Sequence, residues 1–391
     1  MTRPTTWMPV LFALAFFGVA NVADAQVSFA DPAAVGAWNT ARWNNSDVGP
    51  YTSTFTEDDA VSFTTGPYSF AGGMGDVLSV GNVTVAPGVQ VTFLATPALS
   101  GTYATGDSVQ TVDVGAGGLF DLNGQAVSAA AGTGFTKTGS GVFGTGTGAF
   151  NGGFTLSSGV VVSRGLTGLG SGGALALNGG TLTATGELTI GADVVTGISI
   201  GGDVQFGAFA SAVPLSGDTA RFRFASPVNL GGARRTLTLG SNGEHRFSGV
   251  ISNGSLTFAA VPLADGRFEI TGTSNTFTGD INVNGGEVRF TADGSLGNSA
   301  NSIVIDGGRF GIGSNQIVTL GANRNVSVGD TAGTGISAPG TGTLTITNPI
   351  ADIAGKTGFL AKQGGGTLVA FNEASGYAIE ALAGSAVEEG T

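Results

Sequence analysis

The stretch Phe150 to Gly170, FNGGFTLSSGVVVSRGLTGLG, decides the fold because it occurs twice. Laid over Phe277 to Gly297, FTGDINVNGGEVRFTADGSLG, at one constant offset, it brings Phe150 onto Phe277, Gly152 onto Gly279, Phe154 onto Ile281 and Leu156 onto Val283. Gly159 then meets Gly286, Val161 meets Val288 and Leu169 meets Leu296. With one inserted residue the match runs on, from Leu175 and Leu177 on Ile303 and Ile305 to Gly180 and Leu182 on Gly308 and Phe310. Within each copy apolar and polar residues alternate, and Gly, Asn, Asp or Ser closes every short run. That is the pattern of short strands joined by turns.

Two more pairs extend the repeat. GARRTLTLG from Gly232 aligns with GANRNVSVG from Gly321, placing Arg235 on Arg324, Leu237 on Val326 and Leu239 on Val328. FTKTGSGVF from Phe135 aligns with LAKQGGGTL from Leu360, so two of the chain's three lysines, Lys137 and Lys362, share one repeat position. A middle copy near Pro262 to Ile270, PLADGRFEI, has no lysine. One such unit cannot bury its apolar face alone, but units stacked along an axis cover one another and pair each strand with the coil above and below. The expected fold is therefore all-β, a β-solenoid with about 20 to 25 residues per coil. Phe135 and Phe143 are expected to point inward, with glycines turning the chain. Lys137 is expected to project into water, because the middle copy dispenses with it.

Composition agrees with a dry, stacked interior. Hydrophobic residues make up 41% and charged residues 11%, a mixture opposed to disorder, which needs low hydrophobicity and high charge. The aromatic residues are 25 Phe against 4 Tyr and 3 Trp, and Phe carries no polar handle for a wet binding surface. With no cysteine, neither disulfides nor thiolate metal sites can hold the fold. A net charge of −12 disfavours nucleic acid and anionic membrane surfaces as partners.

The first 25 residues read as a secretory leader. Arg3 gives a positive start, Val10 to Val19 an apolar core too short to span a bilayer, and Ala23-Asp24-Ala25 a small-residue cleavage site, so the mature chain would start at Gln26. No later stretch is apolar for long enough to form a membrane helix. The organisation expected is a signal peptide over 1–25, a Trp-containing entry segment over 26–70, and a solenoid over 71–391. Clear repeat copies fall near 135–182, 254–310 and 358–391.

These copies resemble the autotransporter-associated β-strand repeat. The residues that carry the resemblance are Lys137-x-Gly139-x-Gly141-x-Phe143 followed by Phe150-x-Gly152 and Gly159, then Phe268 with GTSNTFTGDINVNGGEV and Gly286-x-Val288, and Lys362-x-Gly364-x-Gly366-x-Leu368. The segment Ala37 to Phe63, with Trp38, Trp43 and Asp59, is similar to the Trp-rich entry that precedes such repeats. The resemblance implies a right-handed parallel β-helix at the cell exterior, the passenger of a surface protein or adhesin, without enzymatic activity. It implies partners such as extracellular polysaccharide or a neighbouring cell surface. The chain after Lys362 is too short for a membrane barrel, so the expectation is a passenger-like chain that is a fragment, is released, or is attached non-covalently.

Several stretches carry residues of known site motifs. Lys137 lacks the preceding Gly and following helix that a phosphate loop needs, and Gly355-Lys356-Thr357 lacks the first Gly of that spacing, which is Ile350. Both read as repeat turns. Gly72-Gly-Met-Gly-Asp76-Val-Leu78 lacks one residue of a calcium-binding roll repeat and occurs once. His245, the single histidine, would have to serve any Ser-His-Asp triad; flanked by Glu244 and Arg246 it reads as a solvated loop residue. The reading is an exported structural or adhesive rod with no catalytic, cofactor-binding or metal-binding residue. The alternative is a carbohydrate-active β-helix, a polysaccharide lyase or hydrolase. For that, the charged candidates are Glu57-Asp58-Asp59, Arg234-Arg235, and Arg221 with Arg223, which two-residue spacing puts on one side of a strand.

Overall fold

The computed structural model describes residues 60–64, 67–71, 77–94, 102–105, 109–123, 125–128, 133–146, 152–207, 220–262, 264–358 and 360–370. It also describes the short strands Val27–Ala30, Val35–Gly36, Trp43–Asn44, Ile379–Ala381 and Ala386–Glu389. The expected leader, Trp38, the Glu57-Asp58-Asp59 run and the stretch Gly72 to Asp76 lie outside the described residues.

The alternating runs form strands that stack into a right-handed parallel β-helix. Each coil passes over up to three faces. The first face runs from Val27–Ala30 to Ile251–Ser252, and the second is a 14-stranded sheet from Val35–Gly36 to Ile350–Asp352. The third holds three early strands, Val77–Val80, Thr102–Thr105 and Ala126–Ser128, and then a nine-stranded sheet from Glu187–Ile190 to Ile379–Ala381. A final four-stranded sheet, Ile317–Thr319 to Ala386–Glu389, takes the first face's place in the coil order. Among the described residues every pairing is parallel except that of Val27–Ala30 with Trp43–Asn44. Partners such as Val161 with Leu182, and Phe258 with Val283, keep the expected coil length, while Phe206 with Leu239 marks a longer coil.

Alternation sends every second side chain into one continuous interior. Phe120, Phe143 and Phe154 lie on successive coils, with ring centroids 5.9 and 6.2 Å apart, and Phe290 stacks on Phe310 at 4.7 Å. Phe135 and Phe143 point inward as expected. Each such side chain stabilises the fold by roughly 1.5–3 kcal/mol through burial, and identical neighbours along the stack fix the register.

The two copies of the opening repeat fold alike and sit on different faces. Gly153–Leu156, Val160–Ser163, a 3-10 turn at Leu166–Leu169, Ala174–Leu177 and Thr181–Ala184 match Ile281–Val283, Glu287–Phe290, a 3-10 turn at Asp293–Leu296, Ile303–Ile305 and Arg309–Ile312. The first copy starts on the first face and the second copy on the second. In both, the 3-10 turn replaces the strand on the remaining side of the coil. The repeat is therefore a local unit that is turned by about a third of a coil between its two occurrences.

Candidate functional site

The outer side of the third face carries the densest charge among the described residues. Its strands begin ELTI at Glu187, RFRF at Arg221, EHRF at Glu244, RFEI at Arg267, EVRF at Glu287 and RFGI at Arg309. In register, the first outward column reads Glu187, Arg221, Glu244, Arg267, Glu287, Arg309, and the second runs Arg223, Arg246, Glu269, Arg289. Opposite charges on adjacent strands meet within one strand spacing. Arg223 pairs with Glu187 at 2.5 Å, Arg246 with Glu269 at 2.6 Å, and Arg267 with Glu244, while Arg289 lies 2.9 Å from Glu287 on its own strand without a hydrogen bond from its Nε. Arg309 reaches sideways to Asp265.

The pairs set the charge states. The hydrogen bond from Arg223 holds the Glu187 carboxyl below the usual carboxylate range and lifts Arg223 itself. Burial pushes Glu244 up, but Arg267 and Arg246 outweigh it and leave the carboxyl below its ordinary value. Arg221 and Arg223 do share one side of their strand, as their spacing predicts, with Phe222 and Phe224 buried on the other. Arg223 is engaged by Glu187, whereas Arg221 is exposed and makes no ion pair among the described residues. Arg234 and Arg235 lie apart from this face, on the second, where the Arg235 guanidinium donates to the Leu230 carbonyl at 2.9 Å.

The interior corrects two expectations. Lys137 does not reach water: it is fully buried at an inward position between Val112 and Leu156. Its ammonium donates to the carbonyls of Thr138, Gly139 (2.8 Å) and Ser158 (3.4 Å), which the adjoining glycine corner turns inward. Gly139 has φ +69° and Gly159, on the next coil, φ +74°; a Cβ on Gly159 would lie 2.7 Å from the Lys137 nitrogen and 2.2 Å from the Gly139 carbonyl oxygen. Burial pulls the Lys137 pKa down to about 8, with Asp113 opposing, so the group is mostly charged at neutral pH. Lys362, its repeat partner, is buried in the same way and donates to the Gly364 and Gly366 carbonyls. A lysine fits an inward position here because its stem is apolar and its head finds carbonyl acceptors at the glycine corner.

His245 is the second correction. It belongs to the strand Glu244–Phe247, faces inward and is fully buried, among the rings of Phe206, Phe222 and Phe268 at 5.5, 5.6 and 5.7 Å. Its Nδ1 accepts the Phe222 amide hydrogen at 3.3 Å, and among the described residues no hydrogen bond reaches Nε2. Burial pushes its pKa down to about 4, so the imidazole is neutral at pH 7. Arg324, seen in the sequence only as the partner of Arg235, is a third buried cation. It pairs with Asp293 at 2.5 Å and donates to the carbonyls of Asp293, Gly297 and Asn298, closing the 3-10 turn of the second repeat copy. Lys356 sits in a turn, as expected, where it joins Asp306 at 2.6 Å to Asp330 at 3.0 Å.

Chemically, the face is a lattice of paired charges and the interior polar groups act on backbone. Among the described residues no three His, Cys, Asp or Glu side chains gather as a metal site would require. Comparison with protein-family models, with curated proteins and with solved structures finds no match.

Proposed function

We propose that this chain is an exported rod, displayed at or released from the cell surface, whose role is structural or adhesive rather than catalytic. The observation that carries the reading is register-matched parallel stacking, which recurs from Val27–Ala30 to Ala386–Glu389 and presents repetitive outer faces. Solenoids recognise partners along such faces. The Lys-x-Gly-x-Gly corners, at Lys137 and Lys362, support a kinship with autotransporter-associated repeats, because in this fold they do a definite job of holding a coil corner together. The leader-like residues 1–25 support export. Extracellular polysaccharide or a neighbouring cell surface is the partner class that this reading favours.

The carbohydrate-enzyme alternative draws on Arg221, which makes no ion pair among the described residues. The test treats purified full-length chain with acidic polysaccharides while scoring unsaturated and reducing ends, and sequences the N-terminus of the exported protein. The proposal expects a start at Gln26, retention on polysaccharide or cells, and no new ends. Turnover that disappears in Arg221→Ala would replace it with the enzyme.

A further inference from the structure

Coil junctions differ in how they are held, and the one at His245 is held unevenly from face to face. Between the coil of Arg221–Phe224, Val228–Asn229 and Arg234–Leu239 and the next, of Glu244–Phe247, Ile251–Ser252 and Ser255–Ala260, the third face contributes two register pairs, the first face two and the second face six. The third face contributes four pairs to each adjoining junction. Pairing fails here at Phe222 and His245, where the Phe222 amide hydrogen goes to the imidazole instead of the neighbouring backbone.

We infer that this junction is an acid-sensitive hinge, in which protonation of His245 parts the first and third faces while the six-pair second face stays closed. A proton on Nδ1 removes the acceptor of the Phe222 amide hydrogen and leaves a cation among three phenyl rings with no counter-ion inside. The charged groups on the packed strands all point outward: Glu244 and Arg246 on its own strand, Arg221 and Arg223 below, Arg267 and Glu269 above. Gln205, beside Phe206, is uncharged. The open form regains an ordinary imidazole near pH 6.5 against about 4 when closed. Below pH 6.5 the open form therefore binds protons more tightly, and acid drives opening, with a ceiling of about 300-fold.

Because His245 is the chain's single histidine, its imidazole NMR signals need no assignment. The experiment follows them from pH 7 to 3.5 in the full chain, alongside amide hydrogen-exchange protection. The expected result is a titration near pH 4, accompanied by about 100-fold or greater loss of protection at Phe222, Val228, Leu230 and Ser248, with Leu256 to Ala260 still protected. His245→Phe should abolish that loss, and Glu244→Gln should leave it in place. A titration near 6.5 with unchanged protection overturns the inference, as does equal loss on all three faces or an undiminished loss in His245→Phe. If that variant does not fold, the native titration and its pattern of protection decide alone.

Discussion

The corner at Lys137 and the strand at His245 place a titratable side chain at the same kind of inward position, with opposite outcomes. Lys137 keeps its charge because a glycine corner supplies three carbonyl acceptors; His245 has phenyl rings around it and must stay neutral. What a buried polar group does in this interior is decided by the adjacent turn. A cation is tolerated where the turn offers unsatisfied oxygens, and it becomes a liability where the neighbours are apolar.

The sharpest way to break the contrast is to block the corner. Gly159→Ala puts a methyl into the Gly139 and Gly141 carbonyl oxygens at a positive φ, and should cost more than about 3 kcal/mol in chemical denaturation. Lys137→Met keeps the apolar stem but orphans the acceptors; a loss of about 2–3 kcal/mol is expected, and a loss under about 0.5 kcal/mol would show a side chain lying in solvent after all. Alkali probes the same group without mutation. The folded Lys137 releases its proton near 8 and the unfolded chain near 10.5, so the unfolded state holds more protons in between and stability should rise with pH across that window. The rise should be absent in Lys137→Met. At the weak end lies the outer ladder: Arg246→Gln should cost less than about 1 kcal/mol and lose its effect in high salt, as half-exposed ion pairs do.

The repeat, the all-β class and the inward Phe positions were legible in the sequence, because a period of two and glycine punctuation are local signals. The destination of Lys137 was not. Its absence from the copy at Pro262 to Ile270 reads as indifference, yet the ammonium is held by carbonyls of its own corner and by that of Ser158 on the next coil, a contact between coils that one copy of the sequence does not display. His245 was misplaced for a related reason: Glu244 and Arg246 look like a charged loop, although the alternation E-H-R-F also marks a strand with charges outside and His245 and Phe247 inside. The same alternation in ELTI, RFRF, RFEI and EVRF spells out the charge ladder. It becomes visible only once these segments are known to lie on one face, since they are separated by unequal lengths of chain.

The third-of-a-coil rotation between the two copies of the opening repeat bears on how such a rod can change length. A unit that folds from its own strand, strand and 3-10 turn, and needs only a matching coil beneath it, does not require any particular face to start on. Duplication or loss of one unit during replication would then leave neighbouring coils stackable even when the added residues are not a whole number of turns. The cost would fall on the outside, where every surface column beyond the insertion would be re-aimed around the axis. In such a lineage core packing would persist while the side presented to a partner shifts from one descendant to the next.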